Sequence, residues 1–331
     1  MDGEVGAEGG HAAELGALGL AVDVDPDDAA RPGVGCWTRG KTSAKIPSGD
    51  EDANHATGRG RDGRGGRSLG GAGCRRHLGC GRTGRGVRVP CPATKPLIEG
   101  TSRGETLKGT DTGENIFAGG GNDRVVALDG SDCVLAGPGD DEVAAGGGGD
   151  RAFGESGADR LSGGIGADVL HGGAGRDRVV GVAGADSLVG GRGADELAGG
   201  EGGDRLAGNE GNDRLAGGSG DDRLTGAAGR DRLSGQGGDD RLDGGLKRDR
   251  LFGAPGADLL VGRSGADVLA GGSGADVLRG GSGADGVGGS SGADRLYGDS
   301  GADNVDGGSG NDHTFGGSSP DRLKGGKAET S

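Results

Sequence analysis

An aspartate returns every nine residues, without one insertion or deletion, from Asp123 to Asp321, giving 23 aspartates in a single register. A short period held over about two hundred residues makes each unit a neighbour only of the units beside it, so the chain is expected to stack as a solenoid. The repeat therefore constrains fold and function together.

Composition supports that expectation. The 331 residues include 88 glycines, 30% apolar residues and 2% aromatics, too few large side chains for the broad core of an ordinary enzyme. Glycine this abundant without a three-residue period excludes collagen. Charge divides the chain: residues 1–96 hold 14 basic and 12 acidic side chains, whereas residues 97–331 hold 23 basic and 40 acidic, a net of −17. An acidic, glycine-rich array repels nucleic acid and anionic membrane and attracts multivalent cations, so metal is the first partner to consider.

Aligned on the aspartate, the units read Gly-Gly-x-Gly-x-Asp-x-Leu/Val-x, as in residues 271–279 and 217–225. Glycines permit left-handed backbone that closes a turn tightly and leaves its carbonyls converging, and the aspartate adds charge. Carbonyl and carboxylate oxygens without thiolate or imidazole suit a hard cation, and a flexible turn suits calcium rather than magnesium. Two residues after the aspartate stands Leu or Val in 21 of the 23 units, the exceptions being Ala152 and Thr314. Each x-Leu-x is read as a three-residue strand with its middle side chain inward, two units making one flattened coil.

These units resemble the RTX, or hemolysin-type, family of calcium-binding nonapeptide repeats, over about two-thirds of the chain. The resemblance implies an all-β, right-handed parallel β-roll of 18 residues per coil, with multiple Ca2+ ions held between turns along both edges and a bacterial, extracellular setting. Carried onto this chain, one calcium row is Asp123, Asp141, Asp159, Asp177, Asp195, Asp213, Asp231, Asp249, Asp267, Asp285, Asp303 and Asp321. The other is Asp132, Asp150, Asp168, Asp186, Asp204, Asp222, Asp240, Asp258, Asp276, Asp294 and Asp312.

All three glycines are present in the units ending at Asp168, Asp177, Asp195, Asp204, Asp222, Asp276, Asp285 and Asp312, the best-formed sites on this reading. Lys247 replaces the third glycine before Asp249, and Ser319 and Pro320 precede Asp321, so both turns are expected to be impaired. Asn209 and Asp299 replace a glycine more gently, because both residues tolerate left-handed geometry. Before Asp123 the register fades into Glu105 and Glu114, with Leu107 and Ile116 still in phase, which reads as an edge or cap.

Calcium is expected to govern folding. Carboxylates on strands about 4.8 Å apart repel by roughly 0.9 kcal/mol each in the dielectric of water, and about 21 such gaps together rival a typical domain stability of about 5–15 kcal/mol. The metal-free array is therefore expected to be largely unfolded. Arginine directly follows the aspartate in 12 units, including Arg205, Arg214, Arg223, Arg232, Arg241 and Arg250. These cations either compete with calcium, giving partial filling at the centre, or solvate an outer face.

Residues 1–96 lack the register and read as an irregular, disordered Arg/Gly-rich segment, followed by the array at 97–331. Its arginines from Arg59 to Arg88 form a basic arm: a solvated tail, a strand that docks on the acidic array, or a nucleic-acid contact, the last without interleaved aromatics for stacking. Cys74, His77, Cys80 and Cys91 supply four zinc-type ligands at a spacing that fits no common finger. A genuine start further downstream is an open alternative for part of residues 1–90. Five cysteines, Cys36, Cys74, Cys80, Cys91 and Cys133, are too few and too uneven for a disulfide framework.

Leu15–Val22 is a short apolar run without a preceding basic stretch, so a cleavable leader is poorly supported, and no run reaches transmembrane length. The array runs almost to the C-terminus, leaving no room for a folded C-terminal cap, so export is inferred from the resemblance alone. No catalytic constellation is visible, and His171 and His313 read as exposed fillers. The chain is accordingly read as a non-enzymatic, extracellular calcium-binding repeat protein that folds on binding calcium. The alternatives are an accessory array associated with an exported hydrolase or toxin, and a cell-surface adhesive or ice-binding solenoid.

Overall fold

The computed structural model describes residues 91–325, and every element within them is a β-strand. The expectations for the basic arm, for His77, Cys74 and Cys80, for the leader and for a disordered N-terminal segment fall on residues outside this range. Twenty-six strands, from β1 (Leu97–Glu99) to β26 (Arg322–Lys324), form two parallel sheets of 13 strands, odd-numbered strands in one and even-numbered strands in the other. The chain thus alternates between sheets and returns to each after 18 residues, as in the pairing of Leu161 with Val179 and of Leu188 with Leu206. This is the flattened coil expected of two nine-residue units.

Inside, the Leu/Val position stacks on itself. Leu170, Leu188, Leu206 and Leu224 continue one column and Leu161, Val179, Leu197 and Leu215 the other, each no more than 2% exposed. Burying a leucine contributes about 1.5–3 kcal/mol, so the narrow core is built by repetition of one contact. Ala152 occupies the same column with 0% exposure.

Most strands are longer than the three residues expected. From β5 (Cys133–Pro138) to β23 (Arg295–Ser300) each has six residues, while only those toward the ends have three. The extension arises because a second inward residue follows the leucine by two positions: Gly163 after Leu161, Ala136 after Val134. With little or no side chain there, adjacent coils approach closely enough to resume pairing just beyond it, Gly164 with Val182 and Ile165 with Ala183.

The register also continues before Asp123, with Leu107 and Ile116 in phase as expected. Leu107 and Ile116 are buried at 6% and 0%, and Glu114, at 2%, stands in the aspartate position. The longer Glu114 side chain turns back within its own turn, accepting hydrogen bonds from the hydroxyls of Thr110 and Thr112. Those bonds, chiefly from Thr110, hold its carboxyl below the usual range. Cys91 forms a disulfide with Cys133, 42 residues away, which removes Cys91 from any zinc set.

The turn before Asp249 closes despite Lys247, which adopts φ 75°, and Asp249 is as buried as its neighbours. Core contacts and the coils on either side hold a conformation that lysine alone disfavours. Asn209 and Asp299 take φ 74° and 70°, as their chemistry allows. The final turn differs: Asp321 is only half-buried and β26 is exposed throughout.

Candidate metal centre

Each aspartate sits where the chain enters a strand, with its side chain folded under the corner. From Asp123 to Asp303 every one of the register aspartates is at most 3% exposed. Oδ1 closes the backbone ladder, accepting the N–H of the aspartate one coil earlier, as from Asp150 to Asp168 at 2.8 Å and from Asp222 to Asp240 at 2.9 Å. The corner N–H lies outside the strand ladder, so the carboxylate replaces the missing backbone acceptor. The backbone N–H groups of Glu105 and Glu114 donate into the same ladder, to Asp123 at 2.9 Å and Asp132 at 2.6 Å.

Oδ2 has no partner. In 22 aspartates, from Asp123 to Asp312, this oxygen is buried without a hydrogen bond. An unpartnered buried charge is costly, and burial pushes the carboxyls of the inner coils upward. Burial, reinforced by aspartates one coil away, raises Asp159, Asp240 and Asp249 to about 7. Burial likewise raises Asp150, Asp177, Asp213 and Asp276 to about 6. Asp123, Asp141, Asp159, Asp177, Asp195, Asp213, Asp231, Asp249, Asp267, Asp285 and Asp303 line one edge. Asp132, Asp150, Asp168, Asp186, Asp204, Asp222, Asp240, Asp258, Asp276, Asp294 and Asp312 line the other.

In the units from Asp159 onward, the first glycine explains where that oxygen finds room. At Gly262 the point where a Cβ would stand is 2.5 Å from the Gly280 carbonyl oxygen and 2.6 Å from Asp267 Oδ2. At Gly226 the same point is 2.5 Å from Asp231 Oδ2 and 2.7 Å from the Gly244 carbonyl oxygen. This glycine serves a steric end: it leaves space for a carboxylate of its own unit beside a carbonyl of the next coil. The carbonyls of Gly244 and Gly280 are oxygen donors that the aspartate register alone did not single out.

No group of three or more His, Cys, Asp or Glu side chains converges as a metal cluster among the described residues. A cation bound here would therefore draw on carboxylate oxygens of the aspartates together with backbone carbonyls. Such a donor set is all hard oxygen, which fits calcium. The histidines stand apart from it. His313 is exposed, as expected, whereas His171 is half-buried, stacked on Phe153 with ring centroids 5.1 Å apart. Burial lowers its pKa, so it is a packing residue rather than an exposed filler.

Fold and edge chemistry together define a parallel β-solenoid with paired rows of buried, half-satisfied carboxylates. The family model for the RTX calcium-binding nonapeptide repeat matches residues 108–143, 145–179, 180–215, 216–251, 252–287 and 288–323, and the chain belongs to that family. Comparison of the whole chain with curated proteins gives no match. Repeats of this family bind calcium, and such solenoids are typically structural rather than catalytic and typically exported. No helix among the described residues is long and apolar enough to cross a membrane.

Proposed function

We propose that this protein is a non-enzymatic, extracellular calcium-binding repeat protein whose solenoid folds on binding calcium along both aspartate edges. The observation that carries this reading is the set of 22 buried Oδ2 atoms without partners. Calcium supplies a divalent positive charge to carboxylate oxygens that are otherwise unpaired in a dry corner. The two oxygens of each aspartate then act separately, Oδ1 closing the backbone ladder and Oδ2 presenting charge. Without a counter-charge the buried carboxylates either take up protons or drive the coils apart, because the narrow leucine column opposes their desolvation with only one side chain per unit.

Far-UV circular dichroism during a calcium titration, with magnesium as control, tests the proposal. A cooperative coil-to-β change with calcium alone is expected at high micromolar to millimolar concentrations, the range of extracellular modules. Asp222→Asn, Asp240→Asn and Asp258→Asn together retain an Oδ1 acceptor and remove the charge. They are expected to weaken calcium binding and leave the ladder intact. A titration in which the triple variant responds like the parent would make these aspartates corner supports only.

A further inference from the structure

Arg214, Arg230, Arg232, Arg248 and Arg250, with Asn212, line one open cavity of about 370 Å³ along the edge of the even-numbered sheet. Arg214, Arg232 and Arg250 stand on successive rungs in direct register, while Arg230 and Arg248 form a parallel row two residues earlier in the chain. Five exposed guanidinium groups therefore line three consecutive coils. None of them pairs with a carboxylate among the described residues, although other arginines do: Arg124 meets Glu142 at 2.8 Å and Arg178 meets Glu196 at 2.5 Å. Arg232 has only the Phe252 ring, 5.2 Å from its guanidinium carbon. Asp213 and Asp231 also line the cavity, but both are buried at no more than 3% exposure.

Like charges placed one above another at strand spacing, about 4.8 Å, repel, and the carboxylates of Asp213 and Asp231 in the cavity, with Asp267 acting on Arg248, are fewer than the five guanidinium groups. The same coils carry the opposite sign on their other edge, where Asp221 and Asp239 are exposed beside Arg223 and Arg241. The cationic strip is thus local to one side of an acidic array, and its field reaches about 10 Å before salt screens it.

We propose that this cleft binds a sulfated polysaccharide. Guanidinium forks bind planar and tetrahedral oxyanions bidentately and shed water more readily than ammonium groups. The cleft presents charge once per rung, and one sugar ring is about one rung long, so a chain carrying sulfate on successive sugars meets a guanidinium at each step. Its lining contains no aromatic or aliphatic side chain, which favours a wholly polar chain over nucleic acid, whose bases seek stacking partners. The inference goes beyond the calcium reading and needs only a folded chain.

The test is fluorescence anisotropy of a labelled heparin-type hexasaccharide with the full chain, in calcium and in chelator, with circular dichroism on the same samples to identify the folded condition. Arg230→Ala with Arg248→Ala is the informative variant, since Ala158, Ala194, Ala266, Ala284 and Ala302 occupy the same position on this edge. Binding is expected, weakened about tenfold or more in that variant and changed less than about twofold by Arg223→Ser with Arg241→Ser, which removes equal charge from the opposite edge. No binding, equal loss in both variants, or tighter binding of an oligothymidylate of equal charge overturns the proposal. So does a self-associated chain, abolished by the Arg230 and Arg248 changes, that leaves the saccharide unbound.

Discussion

Asp159 gives its backbone N–H to Oδ1 of Asp177, one coil on, at 2.9 Å, while its own Oδ2 is buried without a partner and its carboxyl is raised to about 7. Burial is the leading cause, with Asp177 and Asp141 adding repulsion. A carboxyl raised in the folded state binds more protons folded than unfolded, so it contributes stability that is fully present below the ordinary aspartate range and is lost as pH rises through the folded value. With ten aspartates raised to about 6 or 7, the metal-free solenoid is expected to hold β structure near pH 4 and lose it between about pH 5 and 7.5. Calcium reverses the dependence, because protons compete for the same oxygens. Circular dichroism against pH, in chelator and in excess calcium, should give two curves of opposite slope; parallel curves would rule out the linkage.

The glycines of one unit are not equivalent, and single substitutions should separate them. Gly211 has φ 150°, and a Cβ there would collide with the Gly193 carbonyl oxygen of the adjacent coil. Gly211→Ala is therefore expected to cost about 3 kcal/mol or more, from backbone that cannot move without opening the coil. Gly262→Ala meets the Asp267 carboxylate and the Gly280 carbonyl, and Ala118, Ala127, Ala136 and Ala145 already occupy the equivalent position. It is expected to leave the fold standing and displace Oδ2, lowering calcium affinity more than stability. Urea denaturation in excess calcium, set beside calcium titration, reads the two effects apart.

The division between what was legible and what was not follows the range of each interaction. The inward leucines from Leu161 to Leu296 and the burial register of the aspartates repeat with the sequence period, so pattern alone places them. Strand length was not legible, because the extension through Gly163 depends on how closely neighbouring coils approach, which is a property of the stack. The same holds for Gly262: its sequence context suggests a turn, yet its use is to clear space for Asp267. Glu114 was legible only as an edge of the register, because its use of Thr110 and Thr112 as partners for the longer carboxyl depends on the folded turn. The arginine cleft joins side chains 18 residues apart from two positions of the unit, and only the coil geometry shows that Arg230 and Arg232 face one cavity.

The Cys91–Cys133 disulfide ties the segment before β1 to β5, closing a loop with a sequence separation of 42 residues. Loop closure of that length is worth about 4 kcal/mol in the chain-entropy account. Because each coil contacts only its neighbours, the effect should stay local. Reduction is expected to raise hydrogen exchange around Leu107 and Ile116 and to leave Leu233 and Leu251 unchanged. Uniform loss of protection along the array would show instead that the solenoid unfolds as one unit.

Calcium filling should be incomplete, and the arginine cleft shows where. Filling all 21 gaps between successive aspartates would add 42 positive charges to an array of net charge −17. Around Asp213 and Asp231 the added ions would stand among Arg214, Arg230, Arg232, Arg248 and Arg250. Like-charge repulsion there lowers affinity, while the coils around Asp276 and Asp285, followed by Val277 and Gly286, lack that opposition. Native mass spectrometry in excess calcium is expected to count clearly fewer than 21 ions. Arg230→Ala with Arg248→Ala should raise the count by one or two, since each change removes a cation beside an otherwise suitable site. A parent count already close to 21 would mean that the arginines bend outward and leave the aspartate edge to the metal.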